Sequence, residues 1–389
     1  MNDKRRTLNF TGTLTAVTPI TVSVPGDEDR KKGKSMLPRL GANLERAQAY
    51  IEGRTLRGVM RHRCLDILER AVRRQTGKEK VFTVQDIYML SQGVDCSKLV
   101  NSDNQKIYID GEAKLRSDNP ALSVFGRWGL GGRLNVAPMI PTVSNEHCVY
   151  IAGNGMRTNV FLRDPSRIEF LDAENLETLK TYLQEDAEVA KANSPIDQAI
   201  NNLKKKLRKE KCKEARAELQ AEHNRLVQEK KDNKDSKSGS AETIQRPLPG
   251  FEAFLPGTVF NHKLAIENAD QYEIGLVLAV LRELAKSPRI GGHSAEHFGE
   301  FMAEWTVSSW DGDEDAPTTH GKVRLGLHQF EILEEPGSTI LSDALNAWTQ
   351  ALKQEKPLFN FKRYLFDEAK ELDITDGSTK GRIKRDEAA

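Results

Sequence analysis

The sequence predicts an α+β fold in which a helical segment is inserted into a domain of sheet and helices. Two observations support this prediction. Outside residues 170–240, the predicted elements run strand, helix, strand, and this order then repeats. Residues 170–240 are rich in lysine and glutamate and poor in aromatics, which is typical of solvated helices. Two strand–helix–strand halves predict the split βαβ topology, called ferredoxin-like or RNA-recognition-like.

The first half begins with a half-buried strand, because apolar and polar residues alternate there. Its apolar positions are Leu8, Phe10, Leu14 and Ala16. A charged loop over 24–40 has no apolar periodicity, and we expect it to be exposed and mobile. A long helix is then predicted from Gly53 to near Gly77, followed by a short helix over 84–91 and a strand that ends at Pro138.

The second half repeats the pattern with a strand, a helix over 272–286 that Pro288 stops, and a further strand. The alternating positions are Phe260, His262, Leu264 and Ile266 in one strand and Phe301, Ala303, Trp305 and Val307 in the other. One more strand is predicted over 323–333, and an amphipathic helix over 341–352. The insertion reads as a helical hairpin broken at Ser194-Pro195, because proline interrupts a helix.

The composition limits the classes of function. The 389 residues carry a net charge of +1, so any nucleic-acid binding must depend on charges segregated to one surface. No apolar run is long enough to span a membrane and no secretory signal is present, so we expect a cytoplasmic protein without a membrane partner. The four cysteines are scattered without a C-x-x-C pair, which argues against a zinc knuckle and a disulfide framework.

The start of the long helix carries three arginines in line. Arg54, Arg57 and Arg61 follow helical spacing beside an apolar face. The free N–H groups and the dipole of a helix start favour an anion, and arginine can bind a phosphate through two parallel hydrogen bonds. We therefore expect these arginines to bind a nucleic-acid backbone. The alternative is that they form the solvated face of an ordinary amphipathic helix.

Two glycine-rich segments are candidates for further backbone contacts, because N–H groups without bulky side chains can approach a phosphate closely. The candidates are Arg127, Gly131, Gly132 and Arg133 in the first segment, and Gly291, Gly292, His293 and Ser294 in the second. The histidine and serine side chains could bind phosphate or a 2′-hydroxyl. The alternative is that the glycines only form tight turns.

Metal and cofactor sites are not predicted. His293 and His297 are four residues apart, but the H-E-x-x-H pattern is absent and glycines flank the pair. The sequence also contains no P-loop, no Ser-His-Asp order and no Cys-His nucleophile pair that stands out.

Five short motifs occur in an order that resembles the RAMP superfamily of class 1 CRISPR effector complexes, and most of all its crRNA-binding backbone subunit. The motifs are the early strand that begins near Leu8, Tyr50-Ile51-Glu52-Gly53-Arg54-Thr55-Leu56-Arg57-Gly58, Phe125-Gly126 before a strand entry rich in glycine and arginine, Pro256-Gly257-Thr258-Val259-Phe260, and Gly291-Gly292-His293 followed by Phe298-Gly299-Glu300. The large helical insertion and the charged first loop resemble the type IV version more than types I and III.

The resemblance implies a palm built on the sheet, a β-hairpin thumb, and copies stacked in a helical filament along one guide RNA. The palm would comprise 1–142 and 258–333, the thumb with its helical insertion 143–257, and a C-terminal helix and tail 334–389. The guide would present its bases to a complementary target, implied to be DNA, in antiviral or anti-plasmid defence. Other implied partners are a guide-processing subunit, a large subunit and a separate helicase.

By the same resemblance, the thumb interrupts the guide–target duplex, which suits apolar wedge residues flanked by arginines. The candidates are Met156, Arg157, Phe161, Arg163, Arg167, Arg246, Phe251 and Phe254. A basic run in the insertion could attract the target strand, and it contains Lys204, Lys205, Lys206 and Arg208. The alternatives are that the phenylalanines pack beneath the insertion and that the lysines form a solvated helix face.

Three functions remain open on the sequence. The favoured one is a non-catalytic scaffold that binds the sugar–phosphate backbone of the guide without reading its sequence. The second is a metal-dependent nuclease of the type III kind, in which Asp27 and Asp29 of the first loop hold a divalent cation. The third is a stand-alone, monomeric RNA-binding protein.

Overall fold

The computed structural model divides the chain into two compact units, Met1–Ala152 with Phe251–Ala389 and Gly153–Gly250. The described residues are 5–22, 36–41, 47–94, 109–153, 155–157, 161, 164–209, 212–237, 246–248, 250–310, 315–354 and 356–364. No helix within these ranges is long and apolar enough to cross a membrane.

The elements of both units are numbered here in chain order. The strands are β1 (Arg6–Ala16), β2 (Arg39–Leu40), β3 (Gln48–Ala49), β4 (Leu134–Val136), β5 (Ile140–Pro141), β6 (Val149–Ala152), β7 (Gly155–Arg157), β8 (Arg246–Leu248), β9 (Phe251–Phe254), β10 (Val259–Ala269), β11 (Phe301–Ser309), β12 (Thr318–Gly326) and β13 (Gln329–Glu334). The α-helices are α1 (Gly53–Thr76), α2 (Val84–Gln92), α3 (Ile109–Asp118), α4 (Pro120–Phe125), α5 (Asn145–Cys148), α6 (Ala173–Lys209), α7 (Lys213–Asp235), α8 (Gln271–Leu284) and α9 (Ile340–Ala351). Short 3₁₀ helices span Pro165–Phe170 and Ser294–Glu296.

The main sheet has the strand order β13-β12-β11-β1-β10-β4, and β5 also pairs with β10. β1 lies between β11 and β10, β10 pairs with β4, and all these pairs are antiparallel. The first half of the chain therefore supplies β1 and β4, and the second half supplies β10 and β11. Each half gives one central and one outer strand of this set, so the predicted α+β, split βαβ arrangement is confirmed.

The hydrophobic core lies between one face of this sheet and the helices α1, α8 and α9. Its buried members include Phe10, Leu56, Leu278, Trp305 and Trp348. The other face of the central strands is polar, with Thr11 and Lys263 exposed. This alternation of buried and exposed residues is the pattern from which the strands were predicted.

Glycine fixes both ends of α1, and its predicted bounds are confirmed. A Cβ atom added to Gly53 would lie 2.1 Å from the carbonyl oxygen of Val136, so the helix can begin this close to β4 only with glycine there. The helix ends at Thr76, and Gly77 follows with a left-handed φ of 65° and donates to the carbonyl of Arg73.

The strand predicted over 323–333 is wrong as a single element, because the chain forms the hairpin of β12 and β13 there. Gly326 pairs with Gln329, and His328 adopts a left-handed φ of 62° in the turn. Apolar residues continue on both sides of this turn, and it contains neither proline nor an Asn-Gly pair. The usual sequence signal for a hairpin is therefore missing.

The insertion is a helical hairpin as predicted, but the predicted break at Ser194-Pro195 is wrong. α6 continues through Pro195, and α7 begins only at Lys213. Contacts with α7 and with Lys237 just after it support α6 on both sides of Pro195, where proline removes one backbone hydrogen bond. They are the side-chain hydrogen bond of 3.0 Å between Asn193 and Asn233 and the ion pairs Asp186–Lys237 and Asp197–Lys230.

Most of the loop predicted over 24–40 lies outside the described residues, and so do Asp27 and Asp29. Its last residues are not a loop: β2 pairs with β3, and Arg39 forms an ion pair of 2.6 Å with Glu252 of β9. The same carboxylate accepts a hydrogen bond of 2.9 Å from the amide of Leu37. The carboxylate of Glu252 therefore fixes this end of the predicted loop to β9.

Candidate nucleic-acid interface

Residues 125–133, here called the glycine loop, begin at the last residue of α4 and form a tight turn. The amide of Arg127 donates to the carbonyl of Leu130 at 3.0 Å, and the amide of Leu130 donates back at 2.9 Å. Trp128 and Gly129 therefore occupy the tip. Gly126 and Gly129 have left-handed φ values of 68° and 75°, which glycine adopts without strain.

Arg61 lies beneath the glycine loop, and its side chain is not part of a surface stripe. The residue is only 8% exposed. Its Nε donates to the carbonyl of Leu90 at 2.6 Å, and its Nη2 donates to the carbonyls of Met89 at 2.9 Å and Gly126 at 2.8 Å. Burial lowers the pKa of Arg61 to about 10, so the guanidinium remains charged at neutral pH. Arg61 therefore joins the end of α2 to the loop, which corrects the predicted phosphate contact.

Arg57 is half-buried and supports the loop from the same helix. Its Nη2 donates to the carbonyl of Phe125 at 2.9 Å, and burial lowers its pKa. A Cβ atom added to Gly132 would lie 2.7 Å from this nitrogen and 2.6 Å from the carbonyl oxygen of Val124. The start of the arginine helix and the first glycine segment are therefore in contact in the structure.

Arg127 and Arg133 also bind within the protein rather than at its surface, which corrects their predicted role. Arg127 is buried, and its guanidinium donates to the carbonyls of Tyr364 at 2.8 Å and Trp128 at 2.6 Å. Arg133 lies 3.1 Å from the carboxylate of Glu273, which is almost fully buried near the start of α8. Arg127 is thus buried and Arg133 half-buried, and acceptors within the protein already bind both guanidiniums.

Arg116, which no sequence pattern singles out, completes the support of the glycine loop. Its Nη2 donates to the carbonyl of Gly131 at 2.9 Å. The residue lies on α3, a helix that no clear periodic pattern predicts, and 15 positions separate the two residues. Only the folded arrangement of α3 and α4 brings them together.

The hydrogen bonding of the glycine loop is one-sided. The carbonyl oxygens that accept from arginine side chains belong to Phe125, Gly126, Trp128 and Gly131. The amide N–H groups of Gly129, Gly131 and Gly132, in contrast, have no acceptor among the described residues. Gly129 and Gly131 are exposed. The loop therefore offers donors to a ligand, while several of its acceptors are occupied from within.

Arg54 is the predicted arginine that remains at the surface. Its side chain is 73% exposed and forms an ion pair with Glu52, the residue that precedes α1. Because residues three positions apart share one helix face, Arg54 lies next to Arg57 and hence close to the glycine loop. The surface formed by Arg54, Arg57, Gly129, Gly131 and Gly132 is here called the donor surface.

The second glycine segment has mainly a structural role. Gly291 has a left-handed φ of 84°, and an added Cβ atom would lie 2.1 Å from the carbonyl oxygen of Thr21. The amide of Gly292 donates to the same oxygen at 2.9 Å, so this predicted donor is already used. His293 stacks on Phe251 with ring centroids 4.1 Å apart, whereas Ser294 is exposed. The turn interpretation that the sequence left open fits these glycines better than RNA contact does.

His297 lies next to an ion pair of Arg289. Arg289 lies 3.2 Å from Nδ1 of His297 and pairs with Glu300 at 2.6 Å. In the part of the chain that the structure describes, no three His, Cys, Asp or Glu side chains are grouped to hold a metal ion.

Two of the predicted wedge residues lie inside the first unit, which corrects their assignment. Phe254 is fully buried in the main core and packs edge-on against Phe260, with ring centroids 4.9 Å apart. Phe251 is also buried and packs against His293 and Phe298. The two rings lie on opposite faces of β9, and each packs into a different hydrophobic cluster. Neither ring is therefore available to separate bases.

The remaining candidates lie in the second unit. β7 carries Met156 and Arg157 and pairs with β8, where Arg157 is opposite Arg246. Phe161 is half-buried, Arg163 is outside the described residues, and Arg167 is exposed and pairs with Asp164 at 3.2 Å. The basic run lies on α6, where Lys204, Lys205 and Lys206 are exposed beside Arg208. Their roles in the thumb and in target binding stay predictions.

Comparison with known proteins yields similarity to solved structures only. No protein-family model matches the chain, and no curated protein matches it. One similar solved structure is described as "Type IV-B CRISPR Complex"; it is 14% identical, the match covers 80% of this chain and 95% of that chain, and the TM-score is 0.36. The residues of the donor surface are therefore assigned from geometry alone.

Proposed function

We propose that this chain is a non-catalytic backbone subunit of a type IV CRISPR effector complex, and that it binds guide RNA through the donor surface. The order of the sequence motifs supports the choice of family. The observation that carries the RNA-binding role is the one-sided hydrogen bonding of the glycine loop. Its free N–H groups can donate to phosphate oxygens, and several carbonyl groups that would repel a phosphate are bound to arginines.

The charges beneath the loop favour an anion above it. The guanidiniums of Arg57 and Arg61 have no carboxylate within ion-pair distance among the described residues. A buried or half-buried charge without a counter-charge is costly. A phosphate group on the donor surface would supply that counter-charge, and the exposed guanidinium of Arg54 could bind the same backbone.

Contacts of this kind do not depend on base sequence, because amide and guanidinium donors directed at phosphate oxygens carry no base information. A guide RNA differs in sequence from one complex to the next, so its holder must have this property. In the proposed assembly, copies of the chain stack along one guide, and the bases remain free to pair with a complementary target, which we propose is DNA. The guide-processing subunit, the large subunit and a helicase complete the proposed set of partners.

Binding of single-stranded RNAs of unrelated sequence tests the proposal, with affinity measured by fluorescence anisotropy over a series of salt concentrations. Arg54→Ala should weaken every RNA by a similar factor and lower the slope of log affinity against log salt by about 1. The matched control is Arg74→Ala, an exposed arginine at the other end of α1. A protein that binds none of the RNAs, or a loss confined to one sequence, would refute the proposal.

A further inference from the structure

Trp128 is exposed at the tip of the glycine loop, in contrast to the tryptophans of the core. Its exposed fraction is 65%, whereas Trp305 and Trp348 are buried. Within the described residues its ring makes no aromatic contact and its indole N–H has no acceptor. An exposed indole offers a large flat apolar face to a ligand, and its surroundings determine whether a ligand can bind there.

The backbone that carries this ring is held in a defined position. The amide of Trp128 donates to the carbonyl of Gly93 at 3.0 Å, and its carbonyl accepts from Nη1 of Arg127 at 2.6 Å. The tight turn closed by Arg127 and Leu130 fixes the residue further. A ring presented on such a support loses little conformational freedom when a ligand stacks on it.

The neighbours of the ring determine what kind of ligand fits. The next residue is Gly129, whose amide has no acceptor in the described part of the chain, and Gly131 offers a second such amide close by. A nucleotide combines an anionic phosphate, which suits these donors, with a flat base, which suits an indole face. No exposed carboxylate belongs to the turn of residues 126–132 itself.

We propose that Trp128 stacks on one base of the bound single-stranded RNA while the neighbouring amides bind its phosphate backbone. This inference rests on the proposed function and adds to it a fixed position for one nucleotide on each subunit. Stacking tolerates any sequence, because every base has a π face, so it is compatible with a variable guide.

The test compares an ordinary single-stranded RNA with an abasic ribose-phosphate oligomer of equal length. Trp128→Ala should weaken binding of the ordinary RNA by about 5- to 150-fold and leave binding of the abasic oligomer unchanged. Arg54→Ala should weaken both ligands, because it acts on the backbone. The control Trp310→Ala removes another exposed tryptophan and should change neither.

Each other outcome has a distinct meaning. If Trp128→Ala changes neither ligand, or weakens both equally, stacking on a base is refuted while backbone binding stands. If wild-type protein binds neither ligand, the proposed function fails as well. If Trp128→Ala abolishes association between copies of the chain and leaves RNA affinity intact, the ring belongs to a protein interface and the inference is also overturned.

Discussion

Trp305 donates a hydrogen bond of 3.1 Å from its indole Nε1 to Nδ1 of His262 inside the core. The two residues lie on β11 and β10, and Gly12 of β1 is the register partner of both. Because Gly12 has no side chain, the side chains of Trp305 and His262 can meet across β1. Because Nδ1 accepts, the imidazole must be neutral, with its proton on Nε2.

This bond predicts that stability falls in mild acid. Burial lowers the pKa of His262 to about 4, whereas the unfolded chain should show the ordinary value of about 6.5. Between these two pKa values the unfolded state binds more protons than the folded state. The contribution of neutral His262 to the free energy of unfolding is therefore complete above pH 6.5 and is lost as the pH falls to about 4. The expected loss is about 3 kcal/mol, measured by urea unfolding over this range.

Two variants identify the titrating group. His262→Asn keeps an acceptor for the indole but does not titrate, and it should remove most of the loss. His62→Gln alters an exposed histidine and should retain it. An unchanged pH dependence in His262→Asn would show that another group is responsible.

Gly12→Ala should be strongly destabilising. An added Cβ atom would lie 1.9 Å from the carbonyl oxygen of Glu304 and 2.8 Å from the Cα atom of Trp305, and backbone atoms of a paired strand cannot move aside. We expect a loss of about 3 kcal/mol or more in the free energy of unfolding. The matched control is Gly58→Ala in α1, where no atom lies within 4 Å of the added Cβ and alanine should stabilise the helix by up to about 1 kcal/mol. Similar stabilities for the two variants would contradict the register of β1.

Mutation of Arg61 should destabilise the protein strongly, whereas mutation of Arg54 should have almost no effect on its stability. Arg61→Ala leaves buried carbonyls without donors and should cost about 3 kcal/mol or more of stability, and Arg61→Lys should rescue little because an ammonium lacks the guanidinium fork. Arg54→Ala should change the free energy of unfolding by less than about 0.5 kcal/mol, since surface ion pairs contribute little. Denaturant unfolding measures the free energy of unfolding of the three variants. A small loss in Arg61→Ala would contradict the structural role of this residue.

The sequence predicted α1 well because its signals are local: apolar periodicity through Leu56, Met60 and Cys64, with glycine at both ends. Strands β1, β10 and β11 were predicted equally well, because burial on one face produces strict alternation. The hairpin at His328 and the continuity of α6 through Pro195 were not, because tertiary pairing overrides the local preference there.

The spacing of the arginines did not predict which of them are buried and which are exposed. Arg54, Arg57 and Arg61 recur at helical intervals, and that pattern is the same for a surface stripe and for one that turns inward. Arg61 is buried because backbone carbonyl groups of α2 and of the glycine loop pack against its guanidinium. These contacts join residues 28 to 65 positions apart. The importance of the first glycine segment was predicted, but the arrangement of its donors required the structure.

The most direct test of the donor surface is a charge introduced at Gly131. No atom lies within 4 Å of a Cβ added there, so Gly131→Glu and its neutral isostere Gly131→Gln should both fold. If phosphate binds at the free amides, Gly131→Glu should weaken unrelated single-stranded RNAs by at least about tenfold relative to Gly131→Gln, and most strongly at low salt. Equal affinities of the two variants at every salt concentration would show that RNA does not bind at this loop.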